Sequence, residues 1–350
     1  MVSICIIVKN EEKAIEQCLK SLLPLNYEIV VVDTGSTDRT REIAAKYTDK
    51  VYDYEWKQDF AAARNFAIGK ATSDYIMMID SDETLISYDK KELESLIEKY
   101  PDGVGRLLVI NEYIRGNEKY RMRNRFNKLF SKKYYHYEGR IHEQIVSLYE
   151  KEYIMYNAPV TLLHRGYDGD LETRRKKAER NISLLMKELE INGEDPYILY
   201  QLGKSYYMQE NYLDACRTFE KALYYDLDPK LEYVQDMVET YGYALLNTRQ
   251  YETALQLSGV YDEFAVNADF VFLMGLIYMN NAMFTEAIGE FLKATKMNEY
   301  ITEGVNSYRA FYNIGVIYEC LGSIDKAKMY YKKCGNYEPA ENRLKHIGIK

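Results

Sequence analysis

Asp80 and Asp82, with Ser81 between them, follow the apolar run Tyr75–Ile79. Carboxylates at this spacing on a strand end suit a hard divalent cation, Mg²⁺ or Mn²⁺, which takes oxygen ligands while bridging phosphates. Two other apolar runs also end in polar groups. Asn10 and Glu11 follow Val2–Val8, and Asp33 follows Ile29–Val32. If these runs are neighbouring strands, three acidic or amide clusters meet along one sheet edge. Such an edge suits a nucleotide bound with a cation.

Positioning these groups requires a parallel sheet. Val2–Val8, Ile29–Val32, Lys50–Tyr54 and Tyr75–Ile79 read as strands. Their continuous apolar character suits burial on both faces. Helical patterns lie between them: Glu12–Leu22, Ser36–Lys46 capped by Thr34, Ser36 or Thr37, and Asp59–Lys70. The alternation predicts a Rossmann-like, mostly parallel α/β sheet, in which ligands bind beyond the carboxyl ends of the strands. From Gly103 to His164 the pattern is less regular. Strand-like runs (Val104–Ile110, Thr161–His164) mix with a basic stretch, Arg121–Lys133. Leu171–Leu189 reads as one long charged helix.

The remainder is repetitive. Gly203, Gly242, Gly275 and Gly315 are each followed twelve residues later by Ala215, Ala254, Ala287 and Ala327. Large residues recur after three of the alanines, as Phe219, Phe291 and Tyr331, whereas Ser258 occupies the matching position in the Gly242 unit. Small residues let paired helices approach, and the aromatics fill the space between units. The pattern resembles the tetratricopeptide repeat, two antiparallel helices of about 34 residues. The expected domains are therefore 1–168 (α/β), 169–195 (linker or capping helix) and 196–350 (all-α repeats).

The 350 residues allow about two domains. A net charge of −8 argues against a general nucleic-acid binder. No window is apolar enough for a spanning helix, and the N-terminus lacks the basic region of a secretory signal. The five cysteines are scattered and form no CxxC pair, which points to a reducing, cytoplasmic setting and away from a zinc ribbon.

SICIIVKNEE, VVDTGSTDRT, DFAAARNFAIGKATSDYIMMIDSDE and GRIHEQI, in this order, resemble the GT-A fold glycosyltransferases of family 2 over about residues 1–165. The fusion to repeats resembles a bacterial branch that includes peptide and protein glycosyltransferases. The resemblance implies that Val8, Asn10 and Asp33 hold a uracil, with the Asp33 carboxylate accepting its N3–H. By the same resemblance Glu11 and Ser81 would belong to that nucleotide-sugar site. Arg64 would lie near the base and diphosphate. Asp80 would face the ribose, the cation or a cation-bound water, and Asp82 would ligate the cation itself. His164 is the expected third ligand, since neutral imidazole is acceptable to Mn²⁺. On the acceptor side Glu143 would be the general base, with His142 orienting it or contacting phosphate; proton removal from a hydroxyl nucleophile is worth roughly 10²–10⁴-fold. A cysteine thiol as acceptor would need much less help.

Arg121, Arg123, Arg125 and Lys128 could bind diphosphate or an acidic acceptor, or form a solvated face. Trp56 could line the sugar pocket or pack in the core. His346 has no partner motif. QxxRW and following transmembrane helices, marks of processive synthases, are missing. The leading expectation is a metal-dependent inverting transferase moving a sugar from a UDP-sugar, by default UDP-GlcNAc or UDP-Glc, to a protein or peptide held by the repeats. The alternatives are a transferase acting on a lipopolysaccharide or other surface-glycan precursor, and a non-catalytic nucleotide-binding scaffold. The repeat surface could equally join two copies of the chain as a homodimer.

Overall fold

A computed structural model describes residues 1–115, 118–149, 152, 154–165 and 171–348. Two compact units divide the chain, Met1–Asp170 and Leu171–Lys350. The boundary expected at 168/169 lies outside the described residues.

The first unit holds an eight-stranded sheet. Its strands are β1 (Val2–Val8), β2 (Glu28–Asp33), β3 (Val51–Asp53), β4 (Tyr75–Met78), β5 (Glu83–Tyr88), β6 (Val104–Arg115), β7 (Glu118–Ser131) and β10 (Met155–His164); β8 (Tyr135–Glu138) and β9 (Gln144–Ser147) form a separate hairpin. The sheet order is β3-β2-β1-β4-β7-β6-β10-β5. The first four strands run parallel, as the apolar runs require. β7 pairs antiparallel with both β4 and β6, and β10 runs parallel to β6 and antiparallel to β5. Alternate residues of β1 feed two cores: Ile4, Ile6 and Val8 lie on one side of the sheet and Cys5 on the other. Burial on both faces explains why these strands are apolar throughout. In register, Val8 stands beside Asp33, and His164 stands between Glu83 and Asn111. The polar strand ends therefore share one edge.

Among the described residues four α-helices accompany the sheet: α1 (Ile15–Leu22), α2 (Thr40–Ala44), α3 (Phe60–Lys70) and α4 (Lys90–Lys99). Asp59 caps α3 by accepting from the Ala62 N–H at 2.8 Å. Helix α2 is shorter than its sequence suggests, and none of Thr34, Ser36 or Thr37 caps it. The reason is competition for N–H groups. Asp33 Oδ1 accepts from the Gly35 and Ser36 amides (2.8 and 2.7 Å), and Asn10 Oδ1 accepts from the Thr37 amide (2.7 Å), so residues 34–37 stay a loop. Gly35, at φ +100°, suits the turn. The basic stretch Arg121–Lys133 falls largely within strand β7, a reading its charge obscures but its Arg-x-Arg-x-Arg alternation supports.

The second unit is all α-helical: α5 (Leu171–Asn192), α6 (Pro196–Met208), α7 (Tyr212–Leu223), α8 (Glu232–Asn247), α9 (Tyr251–Leu255), α10 (Tyr261–Phe264), α11 (Ala268–Asn280), α12 (Phe284–Ala294), α13 (Tyr308–Cys320), α14 (Ile324–Lys333) and α15 (Glu338–Gly348). The repeat glycines are contact points. A Cβ on Gly203, Gly275 or Gly315 would lie 2.5, 2.6 or 2.5 Å from the ring of Phe219, Phe291 or Tyr331. Gly242 instead faces Leu273 and Leu257, and a Cβ there would stand 2.6 Å from Leu273. In this unit the second helix is interrupted: α9 gives way to a 3-10 segment, Gln256–Val260, before α10, and Ser258 is exposed. Leucines thus fill the space an aromatic fills elsewhere. Among the described residues no helix is long and apolar enough to cross a membrane.

Candidate active site

The loops after β1 and β2 are tied to each other. Besides the Asn10–Thr37 bond, the Asn10 amide donates to Ser36 Oγ (2.9 Å) and the Glu11 amide to Thr40 Oγ1 (2.7 Å). Asn10 takes a left-handed conformation, φ +55°, a strain that local bonds must hold in place. Its side-chain oxygen is therefore occupied in shaping the loop. The Val8 side chain is in the core, and its carbonyl accepts from the Thr34 amide at 2.9 Å. Asp33 is only 4% exposed. Its Oδ1 is satisfied by the two loop amides, but Oδ2 is withdrawn from solvent with no hydrogen-bond partner among the described residues. An unpaired buried acceptor of this kind is costly unless a donor arrives.

Beyond β4, Asp80 and Asp82 diverge, with Ser81 buried between them. Asp82 Oδ2 lies 3.3 Å from His164 Nε2, at the end of β10. His164 Nδ1 donates to Asn111 Oδ1 at 2.7 Å. That bond fixes the ring and directs Nε2 toward Asp82, as a residue behind a metal-binding histidine does. Burial lowers the imidazole's basicity, but Asp82, with Glu83 and Asp80 behind it, outweighs burial and raises it. A carboxylate oxygen and an imidazole nitrogen are fitting donors for Mn²⁺. Their separation is close to the roughly 3 Å between adjacent ligands of an octahedral ion with bonds of about 2.1 Å. No group of three His, Cys, Asp or Glu side chains gathers into a metal site among the described residues. Asp80 instead turns to two cations.

Arg64, on α3, links the two halves of the site. Its Nη2 donates to Asp80 Oδ1 at 2.8 Å, and its Nε donates to Glu143. The guanidinium lies over the Tyr137 ring, 5.5 Å from its centre. Nη1 is buried without a hydrogen-bond partner among the described residues. The other Asp80 oxygen accepts from Lys128 Nζ at 2.7 Å, and Lys128 also reaches Glu83 at 2.9 Å. The ionisation states follow. The surrounding protein opposes charge on the Asp80 side chain, which is still 37% exposed, but Lys128 and Arg64 outweigh this and hold the carboxyl well below its usual range. Burial likewise opposes charge on Arg64 and Lys128, and the facing carboxylates raise both. Glu83 moves the other way because burial dominates.

Glu143 and His142 sit in the turn between β8 and β9. Asn65, next to Arg64, bonds both main-chain groups of Tyr137 (2.8 and 2.9 Å), and the Phe60 amide donates to the Arg140 carbonyl (2.9 Å). The turn is thereby docked on α3. Gly139 (φ +94°) and His142 (φ +52°) both adopt left-handed conformations within it. Trp56 is half-buried against Phe60, ring centres 4.7 Å apart.

The structure thus brings Arg64, Asp80 and Glu143 into direct contact and pairs Asp82 with His164. Asn10 and Asp33 lie at the same sheet edge, joined through the residue 34–37 loop. Three more residues lie against these groups: Glu83 and Asn111, given no role from the sequence, and Lys128, read there only as one of a basic run. Glu83 directly follows the DSD triplet. Lys128 breaks the two-residue spacing of Arg121, Arg123 and Arg125, a signal that its environment differs. Asn111 carried no sequence signal. Arg121 pairs with Glu112 at 2.6 Å.

Residues 3–158 match the family described as Glycosyl transferase family 2, and residues 197–225 and 308–341 match tetratricopeptide repeats. A tetratricopeptide repeat-containing protein of Synechococcus elongatus is 33% identical over 63% of this chain and 55% of its own length. The SPbeta prophage-derived glycosyltransferase SunS of Bacillus subtilis is 30% identical over 62% of this chain and 52% of its own. The chain thus spans about half the length of these curated relatives. Among solved structures, MamA is 24% identical with a TM-score of 0.40, covering 51% of this chain and 99% of that one.

Proposed function

We propose that this chain, a family 2 glycosyltransferase domain followed by tetratricopeptide repeats, transfers a sugar from a UDP-sugar to a protein or peptide acceptor with inversion at the anomeric carbon. The observation that carries the reading is the convergence of unpaired or paired polar groups at one sheet edge: Asp33 Oδ2 and Arg64 Nη1 without partners, Asp82 facing His164, and Glu143 held by Arg64.

In this reading each residue has a distinct task. Asp33 Oδ2 accepts the uracil N3–H, and its Oδ1 bonds keep the receiving loop in shape. Arg64 Nη1 donates to a diphosphate oxygen. Asp82 and His164 hold Mn²⁺ or Mg²⁺, which when bound supplies positive charge against the leaving diphosphate. Glu143 takes the proton of an acceptor hydroxyl as the new glycosidic bond forms. Arg64 couples the two ends: the cation that binds Glu143 is the one that meets the donor. UDP-GlcNAc and UDP-Glc are the first donors to test. The repeats hold the acceptor, a role their stacked helices suit, and five free thiols are consistent with a reducing cytoplasm.

The test is release of UDP from a panel of UDP-sugars, with Mn²⁺ or with chelator, for the wild type and Asp82→Ala. The expected result is release from at least one donor that chelator and Asp82→Ala both abolish, with the variant still folded. Equal release by the variant would remove the cation from Asp82, and no release from any donor would remove the transferase reading.

A further inference from the structure

Lys128, read from the sequence only as one of a basic run, is delivered by the sheet to Asp80 and Glu83. Strand β7 slips register against β6 there: Gly105 pairs with Leu129 and Arg106 with Asn127. Lys128 is the extra residue opposite that step, a β-bulge of the kind that places side chains beside active sites. Its side chain is 10% exposed, and Glu83, its second partner, is 4% exposed. Glu83 also accepts from the Asp80 main-chain amide at 2.9 Å. Asp80 is therefore fixed at three points: its amide by Glu83, one oxygen by Lys128 and the other by Arg64.

We propose that Lys128 and Glu83 are positioning residues that lock Asp80 so that Asp80, with Glu143, orients Arg64 and leaves its Nη1 donor aimed at the donor diphosphate. This rests on the nucleotide-sugar reading above and adds residues that reading does not contain. The clamp works by constraint. A guanidinium held at Nε and Nη2 by two carboxylates from different elements has no remaining freedom of orientation. Its unpaired Nη1 is then a preset donor, and only an incoming acceptor can satisfy it. Asp80 can hold Arg64 only if it cannot rotate, and the Lys128 ammonium prevents that rotation. Lys128 also neutralises one of the three clustered carboxylates, Asp80, Glu83 and Glu143, before an anionic ligand enters. The clamp assigns Asp80 to the chain's own cations, leaving the divalent ion to Asp82 and His164.

The test is calorimetric binding of UDP and of uridine to the full chain, with thermal melting as the folding control. Lys128→Met alone strands a buried carboxylate, so it is combined with Glu83→Gln, which still accepts from the Asp80 amide. The double variant is expected to fold, to bind uridine within about twofold of wild type, and to bind UDP about 10- to 100-fold more weakly, the worth of one charge-assisted hydrogen bond. Lys128→Gln, which keeps a donor without the charge, is expected to show the same selective loss, and Lys128→Arg to restore UDP binding to within about threefold of wild type. UDP affinity unchanged in the folded double variant and in Lys128→Gln, or equal losses for UDP and uridine, would overturn the clamp while leaving the transferase reading intact. A wild-type chain that binds no UDP would overturn both.

Discussion

Asp33→Asn replaces one oxygen with an NH₂ group and otherwise keeps the side chain's shape. Asp33 Oδ1 already accepts from the Gly35 and Ser36 amides, and an asparagine carbonyl can do the same. The new amide nitrogen then falls where Oδ2 stands, an atom with no hydrogen-bond partner among the described residues. The fold should therefore lose little, and thermal melting should shift by only a few degrees. Nucleotide binding should change sharply. Uracil presents a donor at N3, which would meet another donor in place of a carboxylate. Losing a hydrogen bond to a charged acceptor costs about 1.5–3 kcal/mol, or roughly 10- to 150-fold in Kd. Cytosine presents an acceptor at N3, which matches the amide, so CDP should gain relative to UDP. Isothermal titration of both nucleotides against both proteins measures the exchange. A UDP affinity altered by less than about threefold, or equal weakening of UDP and CDP, would refute the assignment of Asp33 to the base.

Three further outcomes follow from the geometry. Arg64→Gln removes the cation from Glu143, whose side chain is 11% exposed, so urea denaturation should show a loss of about 3 kcal/mol, the lower end for breaking a buried pair, with little added from Asp80, which is 37% exposed and keeps Lys128; loss of UDP release should accompany it, and unchanged stability would mean the Arg64–Glu143 pair is not buried. In the repeats, Gly203→Ala pushes a methyl to 2.5 Å from the Phe219 ring and should cost about 1–3 kcal/mol, partly offset by better helix propensity. Gly289→Ala, with nothing within 4 Å, should stabilise by up to about 1 kcal/mol, and denaturation of both variants checks the contrast. Burial pushes the Glu28 carboxyl up, but hydrogen bonds from Lys50, Ser3 and Thr72 outweigh it and hold it at about 2. A lowered folded value stabilises above the unfolded carboxyl's pKa of about 4.3. That contribution, at most about 3 kcal/mol, is lost as pH falls from there toward 2, and Glu28→Gln should flatten the acid limb of the stability curve by that amount.

The parallel half of the sheet was legible because buried parallel strands must be apolar along their whole length, and their polar ends mark the edge where Asn10, Asp33 and Asp80 lie. The repeats were legible because Gly203, Gly275 and Gly315 contact aromatics at a fixed offset. The Gly242 unit fits the glycine–alanine spacing but not the aromatic one, because Leu257 and Leu273 occupy the space. The short α2 was not legible, since Asp33 and Asn10 capture amides across the β1 and β2 loops, and that capture is tertiary. Asn111 was not legible either, because a register between β6 and β10 brings it to His164; for Lys128 the broken spacing of the basic run was visible, but the bulge that turns it to Asp80 and Glu83 is tertiary. Asp80 and Asp82 are two residues apart in sequence but face different partners, because Lys128 and Arg64 claim the first and His164 the second.

The most direct measurement is a crystal structure of the full chain with UDP and Mn²⁺, using the anomalous signal to locate the ion. One manganese peak is expected beside Asp82 Oδ2 and His164 Nε2, with the uracil N3 within hydrogen-bond reach of Asp33 Oδ2 and a diphosphate oxygen on Arg64 Nη1. A nucleotide bound away from this sheet edge, or an ion without Asp82 in its coordination, would contradict that arrangement.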